Sequence, residues 1–259
     1  MLSAIYIWGL TYISGEGSIL FSYTYFDSPS SLLFSPTIIL HRAFMSKSDK
    51  LKYSQSVPAW FDGVMCGMML GDGNLRMQGT QALMSVQQTH QELVEGLWQM
   101  CFDLHLVINP VGSMHRNSAH KVMYYFQSLT MPYFTTYYNN WYRVHPESGK
   151  RFKVVPNNVG ELLTPIALAF WLMGDGSFDG HGRGAGRVSL HTNCFTLDEV
   201  KLLQAALLNN FGIESSLHNI RNSDPSRGHI IRIPARSLPA IRSVCTPHMY
   251  PSLMYKLGL

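Results

Sequence analysis

The feature that most constrains this chain is a long-period echo. MCGMMLGDG (Met65 to Gly73) returns as LAFWLMGDG (Leu168 to Gly176), which places Asp72 and Asp175 103 residues apart. Leu97-Trp98-Gln99 and Leu202-Leu203-Gln204 recur in similar helical contexts at an offset of 105. Two echoes at nearly one spacing imply a duplicated unit of roughly 100 residues, the size of one small domain. No short-period repeat occurs, which excludes solenoids and propellers. The expected division is an N-terminal extension of unassigned role at 1–59, a first repeat at 60–155 and a second at 156–259.

Each unit reads in the same order. Trp60 to Gly71 is an apolar helix with small residues at Gly63 and Gly67. NLRMQGT then alternates as a half-buried strand does, Asn74, Arg76, Gln78 and Thr80 on one face and Leu75 and Met77 on the other. A second strand covers Ala82 to Gln88, a helix His90 to Leu106, two strands about Val107 to Gln127, and another helix starts near Met131. Thr164 can cap a helix that has Pro165 in its first turn and runs to Gly174. A Gly-rich turn follows at Gly180 to Gly186, then a strand with Arg187, Ser189, His191 and Asn193 opposite Val188 and Leu190. Thr196 opens a long helix ending near Phe211-Gly212. Strands near Glu214 to Arg221 and Gly228 to Ile233 precede a last helix around Ala235 to Cys245. The pattern is αββαββα twice, an α+β fold.

Composition narrows the function classes. A net charge of +4 is compatible with a polyanionic partner and does not by itself require one. The four cysteines, Cys66, Cys101, Cys194 and Cys245, form no CxxC or Cys/His pattern, so neither a zinc site nor a disulfide scaffold is expected. No run of 18 apolar residues appears, so no membrane partner is expected. In the leader, Glu16 and Asp27 precede the first basic residue, Arg42, which matches neither a signal peptide nor a mitochondrial presequence.

The chemistry concentrates at Gly71-Asp72-Gly73 and Gly174-Asp175-Gly176. A helix C-terminus carries partial negative charge, so an acid there is electrostatically unfavourable unless a cation offsets it. A hard divalent ion, Mg²⁺ or Mn²⁺, accepts carboxylate, carbonyl and phosphate oxygens with few protein ligands. Two such sites side by side could activate water and stabilise the leaving oxygens of a phosphodiester displacement. One GDG alone is better read as a helix stop and tight turn. Two copies, each closing an apolar helix at one repeat offset, favour the metal reading.

These segments resemble the paired LAGLIDADG motifs of group I intron-encoded homing endonucleases. PNNVGELLTPIALAFWLMGDGS is similar to the second motif and its lead-in, and HTNCFTLDEVKLLQAALLNNFGI and MYPSLMYKL to later stretches of single-chain members. The resemblance covers about 60–259. It implies two motif helices packed on a pseudo-twofold axis through Gly63, Gly67, Ala167 and Ala169, with Gly67 set against Phe170. It places the catalytic, metal-binding acids on Asp72 and Asp175, with the carbonyls of Gly71 and Gly174 as further metal ligands. It also implies two saddle-shaped antiparallel sheets lying along double-stranded DNA.

Candidate DNA-binding residues on those sheets are Arg76, Gln78, Gln87, Arg116, Lys121 and Gln127 in the first unit. In the second they are Arg183, Arg187, His191, Asn193, Arg221, Arg227, His229 and Arg232. The family usually carries a basic residue, commonly Lys, late in each repeat. Alignment by eye puts Thr130 there in the first unit and Arg227 or His229 in the second. The Tyr-rich helix from Tyr133 to Arg143 reads as packing and hydrogen bonding. The implied protein is a monomeric, metal-dependent, site-specific double-strand DNA endonuclease of an organelle, a mitochondrion ahead of a chloroplast. The alternatives are an RNA maturase that acts on its host intron RNA and a catalytically silent nucleic-acid-binding relative.

Overall fold

The computed structural model describes residues 9–12, 19–22, 45–115, 121–180, 186–220 and 228–259. The candidate residues Arg116, Arg183, Arg221 and Arg227 lie outside these. The chain divides into two compact units, Met1–Lys50 and Leu51–Leu259. In the first, strands β1 (Gly9–Tyr12) and β2 (Ile19–Ser22) pair antiparallel, and helix α1 (Lys47–Gln55) begins.

The second unit holds both repeats. The first runs α2 (Ala59–Leu70), β3 (Asn74–Gln78), β4 (Gln81–Gln88), α3 (Gln91–Asp103), β5 (Gly112–His115), β6 (Val122–Gln127) and α4 (Pro132–Trp141). A hairpin of β7 (Tyr142–Val144) and β8 (Arg151–Lys153) and a short helix α5 (Val159–Leu162) lead to the second repeat. That repeat runs α6 (Pro165–Asp175), β9 (Gly176–Asp179), β10 (Arg187–Leu190), α7 (Leu197–Phe211), β11 (Ser216–Asn219), β12 (His229–Ile233) and α8 (Leu238–Cys245), and a 3-10 helix closes the chain at Pro251–Leu257. The first sheet has the order β3-β4-β6-β5 and the second β9-β10-β12-β11, every pair antiparallel. The two repeats therefore share one topology, the duplicated αββαββα fold.

The order follows from the sequence. α2 buries Phe61 and every residue from Gly63 to Leu70, and α6 every residue from Ala167 to Met173. A helix apolar all round belongs in the interior, and these two pack on each other. A Cβ on Gly67 would collide with the Ala167 carbonyl and lie 2.6 Å from Phe170 Cβ; one on Gly63 would lie 2.5 Å from Thr164 Oγ1. The backbones touch because neither glycine has a side chain. Around this pair, α7 is set by local chemistry. Thr196 and Glu199 form a reciprocal capping box, and Gly212 ends the helix at φ 63°.

Three elements depart from the sequence expectation. β9 fills Gly176–Asp179, to which the sequence assigns no strand. Its GSFD sequence has weak strand propensity, and pairing with β10 (Arg187 opposite Asp179, Ser189 opposite Ser177) imposes the conformation. The β7–β8 hairpin and the closing 3-10 helix are too short to show a hydrophobic period. Each carries a lysine that the site uses.

Candidate active site

The two central helices end against each other. A Cβ built on Gly71 would lie 3.6 Å from Gly174 Cα, and one on Gly174 only 3.4 Å from the Asp72 backbone nitrogen. Each acid thus leaves its helix at the junction of the repeats. Asp72 is exposed and Asp175 half-buried. Their carboxyl groups lie close enough for the charge of one to act on the other. Burial, and then the Asp72 charge, push the Asp175 carboxyl up to about 7. Gln88, buried at the end of β4, donates from Nε2 to Asp72 Oδ2 at 2.9 Å. The corresponding position of the second repeat is His191. Its backbone N–H donates to the Asp175 carbonyl at 3.1 Å, and its Nε2 lies 3.0 Å from Ser177 Oγ.

Each helix end is also met by a lysine. Lys153 Nζ donates to the carbonyls of Met69 (3.0 Å) and Gly71 (2.7 Å). Lys256 Nζ donates to those of Met173 (2.6 Å) and Gly174 (3.0 Å). Burial lowers the pKa of both ammonium groups, while the nearby aspartates oppose that shift. A cation beside the orphan carbonyls of a helix C-terminus is electrostatically favourable.

This corrects the sequence assignment. The basic residues seen at the two helix ends are Lys153 and Lys256, in place of the Thr130 and His229 positions, and Arg227 lies outside the described residues. Lys153 lies in the β7–β8 hairpin and Lys256 in the final 3-10 helix, both beyond the positions where the sequence points to a basic residue. The signal was nevertheless present, because Lys153 and Lys256 stand 103 residues apart, the spacing of the two acids. The helix-end argument is revised too, since protein ammonium groups already meet the carbonyls of Gly71 and Gly174.

Strand register sorts the DNA-face candidates. In the first sheet Arg76, Gln78, Gln87 and Gln127 share the outer face, and Arg76 Nη2 donates to Gln127 Oε1 at 3.0 Å. Lys121 is exposed just before β6. In the second sheet Arg187, Arg232 and His191 face outward. Arg187 forms an ion pair with Asp179, and Arg232 Nη1 lies 3.0 Å from His218 Nδ1. Asn193 is half-buried beyond the end of β10. His229 does not belong in the set. It is buried, pairs with Asn219 on the inner side of its strand and has no partner at Nδ1. Its place in the HIIRI segment, buried at four of five positions, hid which way the strand alternates. Sequence reasoning missed Lys153, Lys256, Gln88, Asp179 and His218. Among the described residues, no group of three or more His, Cys, Asp or Glu side chains gathers to hold a metal.

Comparison with known proteins agrees with this architecture. The chain is 28% identical over 249 residues to the cytochrome b mRNA maturase bI2 of Debaryomyces hansenii, spanning 91% of this chain and 90% of that protein. It is 25% identical over 200 residues to the DNA endonuclease I-ChuI of Chlamydomonas applanata, spanning 74% of this chain and 91% of that one. The solved structure of the homing endonuclease I-WcaI bound to its DNA recognition sequence superposes with a TM-score of 0.68 at 21% identity. The match covers 82% of this chain and 92% of that one, which shows a shared fold. The model of the LAGLIDADG DNA endonuclease family matches residues 62–241, and the chain belongs to that family.

Proposed function

We propose that this protein is a site-specific endonuclease that cuts both strands of a long double-stranded DNA site, with Asp72 and Asp175 each serving one strand. One observation carries the reading: two acids meet at the junction of the repeats, each beside a lysine from its own repeat. The donor set fits a hard divalent ion. Two neighbouring carboxyl groups, one of them raised to about 7, repel each other when both are ionised, and a cation relieves that repulsion. With few protein ligands available, phosphate and water oxygens complete the shell, which suits Mg²⁺ or Mn²⁺.

Such an ion, when bound, lowers the pKa of coordinated water and neutralises charge on the leaving oxygen. The chain's own residues do the rest. Gln88 orients the Asp72 carboxylate. Lys153 and Lys256 hold positive charge where a scissile phosphate would approach. The outer sheet faces fix the register of the duplex through phosphate and base contacts. Both halves of the acid pair come from one chain, so the working unit is a monomer. The proposed setting is the organelle that houses the host intron.

The test is incubation of the purified protein and Mg²⁺ with a randomised duplex library, followed by sequencing of cut ends. One long sequence cut on both strands, with cutting abolished by EDTA, is the expected result. Robust cutting in excess EDTA would contradict the metal mechanism, and absence of any selected cut site would contradict the function. A second reading, intron RNA maturase, is favoured by the name of the D. hansenii relative, which matches across nearly the whole chain. Under that reading, Asp72→Asn leaves RNA binding and splicing assistance intact.

A further inference from the structure

The two outer sheet faces differ in chemistry. On the second, the outward strand side chains that reach solvent are polar or ionic: Arg187 with Asp179, Arg232 with His218, and Ser216. Ile220, just past β11, is 49% exposed and is the large apolar group nearest that set in sequence. The first face carries Arg76, Gln78, Gln87 and Gln127, but also two exposed apolar groups in their midst. Met114 is 43% exposed and Tyr125 37%.

These two are held in place. Tyr125 lies opposite both Gln87 on β4 and Gly112 on β5. A Cβ on Gly112 would come within 2.6 Å of Tyr125 Cζ and 2.8 Å of its Oη, so the ring is bedded flat across the glycine. Any other residue there would lift it. Gln87 Nε2 lies 3.7 Å from Met114 Sδ, which puts a carboxamide, an aromatic ring and a thioether side by side on one outward patch.

We propose that this patch reads A·T pairs: Gln87 bonds adenine, and Met114 and Tyr125 pack on the 5-methyl group of thymine. The inference rests on the proposed DNA-cutting function and adds specificity to it. In the major groove a carboxamide suits the N6 and N7 edge of adenine, an apolar group suits the thymine methyl, and only A·T pairs present both. The occupant is duplex DNA, because the apolar pair sits among Arg76, Gln78 and Gln127, side chains suited to base edges and phosphates. The described strands of the second face, with Arg187 and Arg232, hold no such group of carboxamide, ring and thioether. The methyl-dependent positions read by this patch therefore fall in the half of the site under the first sheet.

The experiment uses the full chain in EDTA, so that duplex is bound and not cut. On the site selected from the library, each thymine is replaced singly by deoxyuridine, and the Kd is measured for the wild type, Met114→Ala and Tyr125→Ala. For the wild type, one or more swaps in one half of the site should weaken binding about fourfold, the worth of one buried methyl group at 0.8 kcal/mol. Met114→Ala and Tyr125→Ala should each lose most of the difference between the thymine and uracil duplexes at the same positions. A thermal melt matching that of the wild type reports that each variant is folded. Equal wild-type binding to every uracil duplex, or a full methyl preference in both variants, overturns the inference and leaves the endonuclease function standing. Loss of specific duplex binding by the wild type overturns both.

Discussion

At the scale of single residues, Asp72 and Asp175 hold equivalent positions in unequal surroundings. Asp72 is exposed and bonded to Gln88, whereas Asp175 is half-buried with its carboxyl raised from 3.8 to about 7. A carboxyl raised on folding favours the native state below its unfolded pKa, and that advantage is lost as pH rises through the folded value. In EDTA the melting temperature should therefore fall from about pH 4 to 7, and Mg²⁺ should flatten the fall. Asp175→Asn should flatten it as well and raise the melting temperature at pH 8, by about 2–4 °C for each 1 kcal/mol of relieved repulsion. A melting temperature that does not change with pH in EDTA would contradict this account of the pair. The acids were legible in the sequence because each closes an apolar run and the runs repeat. Lys153 and Lys256 were not, because an isolated lysine some 80 residues from the acid it serves leaves no local pattern. Only the common offset of 103 ties them to Asp72 and Asp175.

At the scale of elements, the helix pair α2–α6 is specified by what is missing. Gly67 has no side chain where the Ala167 carbonyl and Phe170 lie, so Gly67→Ala overpacks the junction. Overpacking costs about 1–3 kcal/mol, and differential scanning calorimetry should show a clear drop in melting temperature. A neutral Gly67→Ala would mean that the helices do not pack this closely. The sheets predict a graded effect on DNA. Arg76→Ala removes a guanidinium whose partner Gln127 is neutral, whereas Arg187→Ala also leaves the Asp179 carboxylate facing the duplex. Both should raise Kd, by about 1–3 kcal/mol if the contact is a bidentate base read. The Arg187 variant should lose more, and its loss should shrink at high salt. Equal or absent losses in a filter-binding titration would place the DNA elsewhere. The long helices were readable because 12 or more residues of one character, or a capping box such as Thr196–Glu199, mark themselves. β9 and the β7–β8 hairpin, three or four residues each, owe their form to neighbouring strands.

At the scale of the whole molecule, duplication in one chain is what lets the halves diverge. The site has two acids and two lysines in near-twofold register, but glutamine in one half stands where the other has histidine, and an apolar patch marks one outer face. A symmetric scaffold can in this way recognise an asymmetric sequence and still bring one acid to each strand. The central claim is that Asp72 and Asp175 are equivalent in role and not redundant. Its most direct test is strand-resolved cleavage of one cognate duplex by Asp72→Asn and Asp175→Asn, with binding and thermal melts on the same preparations. Asparagine keeps the size and turn preference of aspartate while removing the charge that holds a hard cation. The account predicts that each single variant stays folded, binds the site as the wild type does, and fails to cut both strands. Full double-strand cutting by either folded variant would contradict it.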